Sequence, residues 1–410
     1  MRIAVVLAWA GLAGCGGGPS IPAGCDAYVE PSEDDQTAAN LALVEAQSGD
    51  TVCFAAGTFT FTDPLEVSRL TDFTLRGAGM GDGGTVLDFS TQTAGGSGVE
   101  MLMMTNVVVE DLAIVDSPGN NVRIAQSTGV TIRRVRSGWS TPASPMNGKY
   151  AIYPVSSTNV LVEDSEAYAS ADAGIYVGQS TNCIVRNSVT RGNVAGIEIE
   201  NSANCEVHGN TAEDNTGGIL VFELPGLTEQ GMGTLVHDNI VRNNNTPNFA
   251  ETGSIVALVP TGTGLFVMAA KDVEVRDNTI TGNNGTGIAI ISWYTQMALT
   301  MDPLPAPPYD PQSVTIHVHG NTFMSNGAMP SMTAGDPLNT VSGLLGVSTL
   351  EDILWDGFVP MSGGPTDVLC VHDNGTASFR NIDVPGSFGM STTDATPHDC
   401  TFPARPAVQL

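Results

Sequence analysis

The chain has 410 residues, of which 41% are hydrophobic, 14% are charged and 47 are Gly, enough for one elongated domain with a sizeable core. Its formal net charge of -28 excludes nucleic acid as a partner, and an anionic polysaccharide would need a local basic patch or bridging Ca²⁺. Most of this charge reads as a solvated acidic exterior.

Met1-Arg2 and the apolar run Ile3 to Ala13 form a signal segment over residues 1–14, too short to span a membrane. The run closes on Leu12-Ala13-Gly14-Cys15, which resembles the bacterial lipobox. That resemblance implies lipid transfer to Cys15 and cleavage before it. With Gly16 next rather than Asp, it also implies anchoring in the outer membrane, facing periplasm or exterior, the lipid being the chain's sole membrane contact. Residues 15–24 then read as a tether.

Six further cysteines in an exported chain suggest disulfides. Cys25 with Cys53 would staple an N-terminal cap over 25–64, and Cys370 with Cys400 the C-terminal segment. Cys183 and Cys205, 22 residues apart in one register, form either a third bond or an apolar stack. In the cap, Asp34 to Gln47 carries an amphipathic helix pattern with an acidic first turn, suited to cover the open mouth of a solenoid. This helix, followed by Gly49-Asp50-Thr51-Val52, is similar to the openings of exported β-helix proteins of polysaccharide-active families.

From Leu65 to about residue 327 one unit repeats. Its clearest copies are Ala151–Ser157 (AIYPVSS), Gly174–Ser180 (GIYVGQS), Gly196–Ser202 (GIEIENS) and Gly218–Leu224 (GILVFEL), at intervals of 23, 22 and 22 residues. A second half follows in Asn159–Ser165 (NVLVEDS), Asn182–Ser188 (NCIVRNS) and Asn204–Asn210 (NCEVHGN). One apolar strand per copy, closed by Asn, Asp, Gly or Ser, is the pattern of a solenoid with αL corners. The expected fold is all-β, a right-handed parallel β-helix with a short N-terminal capping helix. Insertions within Gly138 to Met146, after Glu223 and over Met301 to Pro311 map to loops beside the rod. From Ala328 to residue 410 the pattern fades into an irregular capping segment, with Ile353–Gly357 and Ala377–Asn381 as late strands or docking pieces.

Strand alternation turns two stripes outward: Glu100, Arg123, Tyr153, Tyr176, Glu198, Leu220 and, beside it, Leu102, Ala125, Val155, Gly178, Glu200, Phe222. Glu198, Glu200, Tyr176 and Tyr153 are the candidate catalytic residues, with Gly178 leaving a gap beside Glu200 for a ligand. Arg123, Lys149, Tyr150, Asp172, Gln179, Asn201 and Glu223 are candidate substrate contacts. The set reads in three ways: an ordinary polar ladder, a glycan platform using stacking and hydrogen bonds, or an acid–base site exchanging the proton alpha to a uronate carboxyl. No cofactor is required. Ca²⁺ is a candidate ligand of Glu198, Glu200 and Glu223, whose oxygens suit a hard cation. His208, His237, His317 and His319 lie in repeat turns and read as structural.

The segments Asn159–Ser165, Ala171–Ser180, Ala195–Ser202, Gly217–Gly226 and Asn248–Ala250 resemble a bacterial family of exported parallel β-helix repeat proteins, over Gly77 to about Ile290. This implies fold and export without a particular reaction. The broader fold is similar to alginate epimerases and to pectate or alginate lyases. The Asp-Pro-His-Asp motif of the epimerases is missing, Tyr153-Pro154-Val155 standing where a comparable strand would be. The expected function is therefore an envelope lipoprotein that binds, and in one reading modifies, a polysaccharide. The alternative is a scaffold docking another protein through the rod face.

Overall fold

The computed structural model describes residues 21–300, 305–360 and 363–410; Cys15 and the segment before it lie outside the described residues. Each coil supplies one strand to an 11-stranded parallel sheet and up to two to a 20-stranded parallel sheet. The 11-stranded sheet takes its strands in sequence order from Leu65–Ser68 through Tyr150–Val155, Ala173–Gly178, Ala195–Glu200, Gly217–Phe222 and Thr263–Met268 to Phe379–Asn381. Ile152 pairs with Ile175, Ile175 with Ile197, and Ile197 with Ile219. The inward residues stack coil on coil into one core running from Val29 to Phe379.

The corners explain the polar residues of the repeat. Ser156, Gln179 and Asn201, each one residue past a strand of the 11-stranded sheet, all have φ between 44° and 49°. Inside the corners run two buried asparagine ladders. In one, the Nδ2 of Asn210, Asn239, Asn278 and Asn321 each donates to the Oδ1 of the next Asn, ending at Asn374, over 2.9 to 3.1 Å. The second runs through Asn193, Asn215, Asn244, Asn283 and Asn326. The ladders satisfy amides that a stacked solenoid buries. At Gly196, within the strand Ala195–Glu200, a Cβ would lie 2.5 Å from the Gly218 carbonyl, so that position admits only glycine.

A helix at Asp35–Glu45, capped by Asp34 accepting from the Thr37 N–H at 3.0 Å, buries Ala39 and Leu43 over the first coil. The rod is longer at both ends than the repeat suggests. Ala27–Val29 and Thr51–Phe54 already pair as coil strands. Beyond 328, within the segment expected to be irregular, Ile353–Trp355 and Phe379–Asn381 are strands at the two places where late strands were expected, and with the unforeseen Leu369–His372 they continue the sheets. Long insertions separate these late strands, which hides their period. Cys25–Cys53 and Cys370–Cys400 are bonded. Cys183 and Cys205 are register partners, buried and free. Inward Cβ vectors on neighbouring parallel strands run side by side at roughly the 4.8 Å strand spacing, beyond the reach a disulfide prefers.

Candidate functional site

The outward stripes follow the expected register: Glu100 pairs with Arg123, Arg123 with Tyr153, Tyr176 with Glu198 and Gly178 with Glu200. Their surroundings change along the rod. Glu66 is exposed, Glu100, Arg123 and Tyr153 are half-buried, and Tyr176, Glu198, Leu220 and Phe266 are buried. The insertions after Glu223, Arg242 and Ile291 fold back over this face. Val256, Val259 and Trp293 pack on Leu220, Phe222, Phe266 and Met268 in a second apolar core outside the rod. The shallow open face expected from the sequence is therefore a covered one, and the candidates sit where the cover begins.

Tyr150, Tyr153 and Tyr176 form a ring cluster, with centroids 4.5 Å, 4.6 Å and 5.0 Å apart. Arg123 lies 5.8 Å over the Tyr153 ring and pairs with Glu100. Behind the tyrosines, the Tyr176 hydroxyl donates to Glu200 Oε1 at 2.6 Å. Glu200 also accepts a hydrogen bond from Glu198, while Tyr150 bonds Asp172. Gly178 does not leave a gap: a Cβ there would lie 2.2 Å from the Tyr176 ring, which fills that space and so reaches Glu200.

The electrostatics are those of carboxyls without a close cation. Glu198, 1% exposed, is held well above its ordinary pKa by burial first and then by Asp172 and Glu200. Burial also raises Glu200, opposed by the Tyr176 hydroxyl. Asp172 is pushed to about 7 by burial and by Glu200, with Lys149 acting the other way. Burial keeps the Tyr150 and Tyr176 phenols protonated. Glu198 Oε2 and Asp172 Oδ1 are buried without a hydrogen-bond partner. One proton on Glu198, an acceptor at Glu200 and a carboxyl titrating near neutrality make a set able to hold and move protons.

Three of the expected substrate contacts do other work. Gln179 accepts from the Thr228 hydroxyl at 2.9 Å, and Asn201 exchanges bonds with the Leu224 backbone and donates to the Glu229 carbonyl. Glu223 Oε2 accepts from the Gly231 N–H at 2.7 Å, and burial raises this acid to about 7. These three pin the first covering loop. Lys149, on the exposed rim, lies 3.8 Å from Glu251 of the second. The turn of Glu223 toward Gly231 also breaks up the expected Ca²⁺ set. Among the described residues only His317, His319 and His372 bring three potential metal donors together. His208, His237, His317 and His319, expected in repeat turns, all lie on strands instead. Tyr150 is more central than expected: alternation from inward Ile152 would turn it inward, but Ala151 and Ile152 both pack in the rod core and Tyr150 packs on the outer face, so local pattern carried no signal for it.

A parallel β-helix with a covered acid cluster on one outer face defines the class, and the sequence agrees. The chain matches the family described as right handed beta helix region over residues 68–224 and 146–301, and it belongs to that family. No curated protein matches it in sequence. Among solved structures it is similar to the mannuronan C-5 epimerase A-module of Azotobacter vinelandii, at 17% identity and a TM-score of 0.51, covering 79% of this chain and 88% of that one. It is also similar to the polygalacturonase of Erwinia carotovora ssp. carotovora, at 12% identity and a TM-score of 0.50, covering 75% and 93%. At these identities the likeness describes the fold.

Proposed function

We propose that this is an exported β-helix protein that binds a polysaccharide against the rim formed by Glu100, Arg123, Lys149, Tyr150 and Tyr153, and exchanges protons with a uronate-type residue through Asp172, Glu198 and Glu200. The observation that carries the reading is the buried, cation-poor carboxyl cluster with two unpartnered oxygens, directly behind a tyrosine wall that faces the uncovered part of the sheet. A ladder serving stability alone has no use for such a group, because an unpaired buried carboxyl destabilises. In this reading Glu200 is the base, Glu198 holds its proton in reserve, Tyr176 orients Glu200, and Arg123 with the tyrosines takes the sugar. Lyase and epimerase outcomes share this proton abstraction.

Export as a lipoprotein anchored through Cys15 belongs to the same proposal. The Cys25–Cys53 and Cys370–Cys400 disulfides support it, since such bonds persist in oxidising compartments. The test is a glycan array with the soluble form starting at Gly16, with and without Ca²⁺, followed by mass spectrometry of the retained glycan. Unsaturated or epimerised products, abolished by Glu200→Gln with retention intact, are expected. Retention without chemical change would leave a binding module, and silence across the array would turn the reading toward a protein-docking scaffold.

A further inference from the structure

A second cluster lies on the outer side of the 20-stranded sheet, independent of the glycan reading. On the strand Val314–His319, Ile316 and Val318 point into the core, so His317 and His319 point outward. The next coil brings His372 into register with His319. The His319 and His372 rings stack 5.1 Å apart at 2°, and His317 lies 4.1 Å from His319 and 5.0 Å from His372. One nitrogen from each ring lies within 4.8 Å of the other two.

The bonds at the backs of these rings turn acceptor nitrogens to the front. His319 Nε2 is 2.9 Å from Glu274 Oε1, and the other oxygen of Glu274 accepts from the Arg405 N–H at 2.6 Å. His372 Nδ1 is 3.2 Å from Asp373. A carboxylate on one ring nitrogen fixes the tautomer that leaves the other as a lone pair, the arrangement that orients metal-ligating histidines. His319 Nδ1 and His372 Nε2 are thereby acceptors. His372 Nε2 has another imidazole nitrogen, His317 Nε2, only 2.8 Å away. His317, 5% exposed, also has its Nδ1 buried without any partner. Hydrogen bonds within the protein therefore do not close the accounting of this cluster.

We propose that His317, His319 and His372 form a binding site for a divalent transition metal of the Zn²⁺ class, with Glu274 and Asp373 orienting two of the ligands. An all-imidazole set selects Zn²⁺, Cu²⁺ or Ni²⁺ over Ca²⁺ and Mg²⁺, which want oxygen. Zn–N bonds of about 2.05 Å in a tetrahedron set nitrogens about 3.3 Å apart, which ring rotations reach from the present spacing. The C-terminal tail, tethered by Cys370–Cys400, carries Phe402 edge-on to His317 at 5.9 Å and walls one side. Three protein ligands leave a fourth position for water or an incoming donor.

The experiment is calorimetric titration of Zn²⁺ into the chelator-stripped full chain in detergent, beside His372→Gln and Glu274→Gln. One Zn²⁺ per chain is expected, with affinity lowered about 100-fold by His372→Gln and about 10-fold by Glu274→Gln. Thermal midpoints measured in chelator establish that the variants are folded, and His319→Gln takes the place of any that is not. Cu²⁺ loaded on the unmodified chain gives a reading free of mutations, with three nitrogens expected in the hyperfine pattern. Absence of saturable Zn²⁺ binding, binding indifferent to all three substitutions, or a Cu²⁺ spectrum with fewer than two nitrogens would overturn the proposal.

Discussion

Glu110 and Glu198 are both outward residues of a coil strand, and each is nearly buried, at 2% and 1% exposure. Glu110 lies among arginines: Arg76 and Arg133 each reach it at 2.6 Å and Arg134 at 3.0 Å. Burial pushes its pKa upward, but those bonds win and hold it below the ordinary carboxylate range. Glu198 has Asp172, Glu200 and tyrosines for neighbours, so burial is unopposed and its carboxyl stays protonated. Polar residues on a β-helix exterior thus divide by the sign of their neighbours. The first arrangement stabilises the rod, and the second costs stability and holds a proton at a site.

The largest expected effect separates the two by pH. Asp172, raised from 3.8 to about 7, binds more protons folded than unfolded between about pH 4 and 7, so its contribution to stability is full below pH 4 and falls as pH rises through that window. Such a carboxyl accounts for up to about 1.4 kcal/mol per pH unit. Asp172→Asn should flatten that fall in chemical denaturation. Glu110 has the opposite sign: its contribution is present above the ordinary carboxylate pKa and is lost as pH falls through its lowered one.

Next in size is Asn278→Ala, which removes ladder bonds to Asn239, Asn321 and the Val236 carbonyl and leaves their partners buried. About 3 kcal/mol should be lost in a urea titration. Glu110→Gln, leaving three arginines that are partly exposed, should cost about 2 kcal/mol. Smallest is Glu198→Leu, beside Leu220 in register, which should raise stability by about 1 kcal/mol while abolishing any turnover. A loss of stability there would place Glu198 with the ladder residues and break the distinction from Glu110.

The repeat made the fold legible, because a coil-to-coil period leaves inward Ile and Val, corner Asn and Gly, and outward stripes in fixed order. The register of Tyr153, Tyr176, Glu198 and Glu200 followed from that period alone. The accessibility of the site did not. Gln179, Asn201 and Glu223 looked like ligand contacts because the insertion after Glu223, legible as a loop, carries no local sign that it folds back onto them; only their bonds to Thr228, Leu224 and Gly231 show it. His317 and His372 are 55 residues apart, across insertions that hide the period, so their meeting on adjacent coils could not be read from spacing.

By itself, then, the sequence determined the solenoid, its capping helix and the side of the rod to which residues within the strands point, Tyr150 at a strand's start excepted, since these rest on local alternation and turn chemistry. The tertiary structure decided which outward faces are covered, which carboxyls lose their solvent and which histidines converge. The physical reason is that burial and charge pairing depend on what long insertions bring from elsewhere in the chain.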